Sequence, residues 1–312
     1  RSLLVVRQDD GSIRAFHNSC LHRGRKLATL GGCKNEFRCP YHGIAWNPDG
    51  SFKDNPIAWD FPQWEGRNMS LPEALVGTWA GFVFINMDRD ARPLDETLGP
   101  IKAHFANYYN EDRYIHFHVQ KIVPCNWKTA AEAFMESHHA ITTHPQLLPY
   151  LADVNSQYDI LSDYVTRQFS AQMVPSPFNQ RDYSEDEIVQ ALLGVGSRSA
   201  AGAGASADEM KVPDGETART FMAEVTRQTL SGEDGYDYAD SSDAEMVDAL
   251  LYNVFPHMSF WAGFMPNLTY RWRPNGHDHT SSIMDIYMMK RVPKDKPRPK
   301  PSPVFEIGID ES

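Results

Sequence analysis

Little in these 312 residues points to an extracellular, membrane-bound or nucleic-acid-bound protein. Cysteine is scarce: four residues are too few for a disulfide scaffold and suit a reducing compartment, the cytoplasm. No stretch approaches the ~20 consecutive apolar residues that a membrane-spanning helix needs, so a soluble protein is expected. Positive charge is in the minority. Against 30 Lys and Arg stand 41 Asp and Glu, and the net charge of −11 argues against nucleic acid as a partner. The chain has no initiator Met; it opens on Arg1-Ser-Leu-Leu-Val-Val-Arg7 inside an apparent strand and stops at Glu311-Ser312 without a closing element. We expect a fragment that lacks sequence at both ends, for which a missing signal peptide says little. There is no internal repeat. What is present, 41% hydrophobic and 23% charged residues, is enough to bury a core in one large or two ordinary domains.

The scarce cysteines are placed with care. Cys20-Leu-His22 is followed, after residues 23 to 38, by Cys39-Pro-Tyr-His42. Two Cys-plus-His pairs can give two thiolates to one iron and two imidazoles to another, the ligand set of a Rieske [2Fe–2S] centre. Gly24 and Gly43 follow the two His and Pro40 lies inside the second pair, as expected of tight loops that carry backbone N–H groups towards cluster sulfurs. A zinc site uses the same residue types, but usually as a Cys pair followed by a His pair, whereas each half here is mixed. Cys33 and Cys125 read as ordinary thiols.

The halves Cys-Leu-His-Arg-Gly and Cys-Pro-Tyr-His-Gly resemble those of the Rieske non-haem iron oxygenases, the large (alpha) subunits of aromatic ring-hydroxylating dioxygenases. Respiratory Rieske proteins carry an extra Cys in each loop and a Ser after the second His-Gly; here those positions hold Arg25, Tyr41 and Ile44. The resemblance therefore implies a cluster near the low end of the Rieske range, about −150 mV. Arg23, Arg25 and Lys26 form a basic cluster beside the first loop, either a docking patch for an acidic redox protein or a solvated face.

The pattern along the chain divides at Asp88 to Pro100, rich in charge and proline. Before it, residues 3 to 17 read as a hairpin turning at Asp9-Asp10-Gly11. Ile44 to Trp46 and Phe52 make another across Asn47-Pro48-Asp49-Gly50, and Trp79 to Met87 reads as a single buried strand. Beyond it, Ile115 to Val123 and Tyr164 to Phe169 are strand-like. Helices are expected from Asn126, over Glu185 to Leu193, Glu216 to Leu230 and Ser242 to Tyr252. Gly194 to Ala207, a Gly/Ala/Ser run, reads as a mobile loop. Phe260 to Phe264, Thr269 to Arg273 and Ser281 to Met289 read as antiparallel strands, and Pro293 to Pro303 as a loop. With the resemblance, this gives an α+β chain: a small all-β Rieske domain over 1–97, lacking its N-terminal part, then a helix-grip catalytic domain (antiparallel sheet plus helices) over 98–312, lacking its C-terminal part.

The helix expected from Asn126 carries a second constellation, running Asn126-Trp-Lys to Glu136, His139, His144 and Pro145. Glu136 and His139, three apart, share a helical face, while His144 requires the helix to loosen or end before Pro145. A pair of His with a carboxylate is the facial triad of O₂-activating iron enzymes. Alone, a His-x4-His pair is better explained by core or surface histidines. The whole string resembles the Asn-Trp-Lys … Glu-x-x-His-x4-His-Pro segment of the same family. The resemblance makes His139 and His144 ligands of a mononuclear Fe(II). It makes Glu136 the acidic residue linking an iron-bound His to a cluster His of the neighbouring subunit. His138 stands where an aromatic is common. The family's third ligand, a carboxylate, is not placed: Asp285 lies on a strand, Asp310 and Glu311 at the ragged end, and the ligand is expected past Ser312.

The resemblance implies a terminal oxygenase component fed by a ferredoxin or an NAD(P)H-dependent reductase, a homotrimer or a hetero-hexamer with a small subunit. It would hydroxylate a small aromatic or similar apolar substrate with O₂, by cis-dihydroxylation or by the monooxygenation or demethylation known in the same superfamily. A pure electron-transfer Rieske protein would use only the first third of the chain, and a non-enzymatic helix-grip binding protein would leave the second constellation idle. The apolar run from Tyr252 to Met258 with Phe260 and Trp261 suits either a substrate pocket or a core.

Overall fold

Leu3–Arg7 (β1) and Ile13–His17 (β2) pair antiparallel, Leu3 opposite His17, across a turn in which Gly11 takes φ +85° and Asp10 accepts the N–H of Ser12. The computed structural model describes residues 1–196 and 210–311 and divides into two units, Arg1–Leu94 and Asp95–Ser312. In the first, Phe37–Arg38 (β3), Ala45–Trp46 (β4) and Phe52–Asp54 (β5) form a three-stranded sheet. Glu73–Trp79 (β6) and Phe82–Asn86 (β7) extend the first hairpin into a four-stranded sheet ordered β1-β2-β6-β7.

Trp79 to Met87 is thus not one buried strand. Ala80 and Gly81 both take positive φ, 54° and 79°, which makes the tight two-residue turn favoured in hairpins and sends β7 back along β6 with Val83 and Ile85 exposed. The core of this unit gathers Leu4, Phe16, Leu27, Phe37, Ile44, Trp46 and Leu71 around Cys20 and Cys39. Trp46 is fully buried and its indole N–H donates to the Met69 carbonyl at 2.7 Å, so its burial leaves no polar group unpaired.

Two short helices follow, Leu94–Leu98 (α1), at the boundary and inside the stretch read as a linker, and Ile101–His104 (α2). Arg113–Val123 (β8) follows, then Trp127–Glu132 (α3), Ala140–Thr143 (α4), Gln157–Ile160 (β9) and Val165–Ser170 (β10). Next come Glu185–Gly196 (α5), Ala218–Asp234 (α6) and Asp243–Val247 (α7). Most of the run read as a mobile loop lies outside the described residues, and Gly194 to Gly196 close α5. The chain ends in strands: Ala249–Val254 (β11), Met258–Ala262 (β12), Leu268–Asn275 (β13), Asp278–Arg291 (β14) and Val304–Ile307 (β15).

Eight of these strands make one sheet ordered β15-β8-β14-β13-β12-β11-β10-β9, antiparallel throughout except that β15 runs parallel to β8. The helix expected over Ser242 to Tyr252 stops at Val247. Ser242 and Glu245 form a capping box at its start, but Ala249 to Val254 pair on both sides, with β10 and β12, and that ladder overrides helical propensity. Tyr252, Val254, Met258 and Phe260 are consequently core residues of the sheet. Ala130 and Ala131 of α3 seat that helix on Tyr270 and Trp272, and Phe134 at its exit packs against both rings. The architecture is α+β. No described helix is long and apolar enough to cross a membrane.

Candidate metal centres

The two Cys/His segments fold into the same backbone frame. In the first, the N–H of Cys20 donates to the carbonyl of Arg25 (2.8 Å) and the N–H of Gly24 to that of Cys20 (2.9 Å). In the second, Cys39 donates to Ile44 (2.8 Å) and Gly43 to Cys39 (3.0 Å). Each frame closes on a glycine in the left-handed region, φ +73° at Gly24 and +77° at Gly43, which is the physical reason for both glycines. The frames bring like donors together. His22 Nδ1 lies 3.0 Å from His42 Nδ1, and the buried, unoxidised Cys20 and Cys39 thiols adjoin one another. Phe61 meets His22 edge-on at 5.2 Å, and Tyr41 stacks on His42 at 3.8 Å.

Burial pushes the Cys20 thiol up, the His22 backbone N–H pulls it down, and the Cys39 sulfur adds to the rise. Burial pushes the His22 imidazole down, helped by His42 and Arg23. Two sulfurs held against each other and two imidazole nitrogens held against each other fit a two-iron cluster with sulfur on one iron and nitrogen on the other. Among the described residues no three His, Cys, Asp or Glu are grouped where one metal ion could be held.

The second constellation departs from the expected helix. Asn126 caps α3 by accepting the N–H of Lys128 at 2.9 Å, but the helix ends at Glu132, and residues 133 to 139 run as turns before α4. Glu136 and His139 meet in this link and not on a helical face. The Glu136 carboxylate accepts the His139 backbone N–H at 3.1 Å and lies 2.5 Å from His139 Nδ1, which leaves Nε2 as the free ring nitrogen. α4 then ends at Thr143, and the His144 ring sits 5.3 Å from that of His139 at 71°. Burial raises the Glu136 carboxyl, but the hydrogen bonds from His139 outweigh it and hold the group below the usual carboxylate range.

His138 turns away, towards Tyr158 at 5.9 Å. Asp285 is no free ligand: it is fully buried and accepts from Arg271, Arg273 and His118. Glu311 accepts the N–H of Gly308 at 2.6 Å. The two imidazoles fit an iron with open positions, and among the described residues no carboxylate joins them as a third ligand. Nothing in the sequence marks Ser137, buried between Glu136 and His138, whose hydroxyl meets Ser156 and Tyr158; a serine between two polar residues carries no signal of burial.

Residues 105–302 match the ring hydroxylating alpha subunit (catalytic domain) family, and residues 1–65 match the Rieske [2Fe–2S] domain. The chain belongs to the ring-hydroxylating alpha subunits. It is 37% identical over 178 residues to chlorobenzene dioxygenase subunit alpha of Cupriavidus sp. (strain PS12), a match covering 54% of this chain and 40% of that protein. It is 31% identical over 151 residues to the carnitine monooxygenase oxygenase subunit of Acinetobacter pittii (strain PHEA-2), covering 46% and 40%. The crystal structure of naphthalene 1,2-dioxygenase from Rhodococcus sp. bound to indole shares the fold, with TM-score 0.58 and 18% identity over 95% of this chain and 63% of that one. The matched stretch is thus two fifths of the length of either curated relative.

Proposed function

We propose that this chain is the catalytic part of a terminal oxygenase component that hydroxylates an aromatic or similar apolar substrate with O₂, cis-dihydroxylation being the favoured outcome. Cys20 and Cys39 would hold one iron of a [2Fe–2S] cluster and His22 and His42 the other, while His139 and His144 would hold a mononuclear Fe(II). Bound there, these groups supply electron storage and O₂ activation. The observation that carries the reading is the sorting of donors, sulfur with sulfur and nitrogen with nitrogen at 3.0 Å, in the same chain as the Glu136–His139–His144 loop. The protein's own contribution at the second site is orientation. Glu136 fixes the His139 ring through Nδ1 and so aims Nε2, and its partly exposed carboxylate is the group we assign to the electron link with a neighbouring subunit of a trimer.

Electrons would come from a ferredoxin or an NAD(P)H-dependent reductase, in the cytoplasm, where four unpaired cysteines stay reduced. The likeness to a carnitine monooxygenase subunit supports a second reading, monooxygenation or demethylation; the higher identity to a chlorobenzene dioxygenase subunit favours the first. Iron and acid-labile sulfide per chain test the site assignment, the expected ratio being about three Fe to two sulfide. His139→Ala should lower only the iron, and Cys39→Ser should remove the sulfide. Zinc in place of sulfide would refute the oxygenase reading. Turnover under ¹⁸O₂ separates the two outcomes, with two labelled oxygens in the product of a dioxygenase and one in that of a monooxygenase.

A further inference from the structure

The link between α3 and α4 carries Glu136 and His139 without the support of a continuous helix. Seven residues outside a helix ladder do not by themselves hold a metal-binding imidazole in place; something else must fix them. Ser137 is the best-anchored residue of that link. Its N–H donates to the Tyr158 hydroxyl at 3.2 Å, and its own hydroxyl lies 2.8 Å from the Asp153 carbonyl, 2.6 Å from Ser156 Oγ and 3.1 Å from the Tyr158 oxygen.

These contacts reach into the sheet. Ser156 Oγ donates to the Asp153 carbonyl at 2.6 Å and meets Ser170 Oγ, and Ser170 accepts a longer bond from Gln168. Tyr158 belongs to β9 and Ser170 to β10, so a ladder of hydroxyls ties the link to the edge strand β9, to its neighbour β10 and to the turn at Asp153. The Asp153 carbonyl accepts from both Ser137 and Ser156, and the Tyr158 hydroxyl can donate to Ser137 Oγ while accepting the Ser137 N–H. Ser137 and Ser170 are buried, so each hydroxyl depends on its partners and not on water.

We propose that Ser137 is a positioning residue for the His139/His144 site. Held by Tyr158, Ser156 and Asp153, it fixes the backbone from which the adjacent Glu136 carboxylate reaches His139 and sets where His139 Nε2 points. This rests on the reading of His139 and His144 as metal ligands. Ser137 acts through Glu136 and touches neither metal nor substrate.

Cobalt(II) titration, followed by its visible d–d absorption, tests this on protein that keeps its cluster but has been stripped of mononuclear iron. Ser137→Ala and Tyr158→Phe should each weaken Co(II) binding about 10-fold, the size of effect found for residues that support metal ligands, while the cluster spectrum stays unchanged. Ser137→Thr, which keeps the hydroxyl, should bind within about threefold of the native chain. Tyr158→Phe keeps the ring beside His138 and so separates the hydroxyl from packing. Unchanged affinity in both Ser137→Ala and Tyr158→Phe, alongside lost binding in His139→Ala, overturns the positioning role alone. Native affinity in His139→Ala removes the site assignment, and this proposal with it.

Discussion

Asp285 offers a quantitative test of how the sheet of the second unit is held together. Its carboxylate is fully buried in β14 and receives Arg273 Nε at 2.7 Å, Arg271 Nε at 2.9 Å and His118 Nε2 at 3.0 Å. Burial pushes this carboxyl up, but the donors from Arg273, Arg271 and His118 prevail and bring it down to about 2 from an ordinary 3.8. At about 1.36 kcal/mol per unit, the difference amounts to about 2.5 kcal/mol of stability. Because the folded-state value is depressed, that contribution is fully present above about pH 4 and is lost as the pH falls through about 2.

Asp285→Asn keeps the shape and removes the charge. Both arginines are about one third exposed, so water compensates them in part. The expected loss at pH 7 is about 2–3 kcal/mol, at or just below the range for breaking a buried ion pair. Urea unfolding of both proteins at pH 7 and near pH 3 reads the effect, since every other carboxylate cancels in the difference between them. That difference should shrink by about 1 kcal/mol at the lower pH. A variant as stable as the native chain at pH 7, or a difference that ignores pH, would refute the account. Iron content should be unchanged in the variant, as suits a carboxylate already held by Arg271, Arg273 and His118.

Two glycines give simpler tests. At Gly50, φ is +81° and an added Cβ would sit 2.7 Å from Phe16 Cδ1, so Gly50→Ala should cost the first unit about 2–4 kcal/mol in calorimetry; a native melting temperature would contradict the packing described. At Gly263, φ is +78° and the Cβ would lie 2.7 Å from the Glu245 carbonyl oxygen, a backbone atom with no room to yield. Gly263→Ala should destabilise the second unit by about 3 kcal/mol, measured as a lower urea midpoint with an unchanged slope.

The two Cys/His frames were legible because their signal lies in residue types and spacing, and Gly24 and Gly43 were legible because only glycine takes that backbone cheaply. The Glu136–His139 contact was legible too, but for an incomplete reason: residues three apart meet on a helix face and also across a turn, so the pair was foreseen and the break in the helix was not. Leu250 to Val254 misled in the same way, since a short apolar run suits a helix or a buried strand and only its partners on β10 and β12 decide. The turn at Ala80-Gly81 hid inside an apolar run because alanine is not a turn residue. β15 escaped notice because its pairing with β8 spans most of the second unit, and four residues after a Pro/Lys-rich loop carry no period of their own.

The paired frames around Cys20 and Cys39 have a consequence for how this protein can vary. Each frame ties its first residue to its last through its own backbone bonds, so neither depends on the length of chain between them. The exposed segment from Thr29 to Asn35 therefore acts as slack. Lengthening it adds only a slowly growing closure entropy, about 0.6 kcal/mol per doubling, and leaves the four side chains where they are. Insertions there should be tolerated, whereas one residue added inside either frame would move a histidine off its partner. The constancy that the chemistry demands is concentrated in two stretches of six residues, and the exposed residues between Ala28 and Glu36 are free to drift.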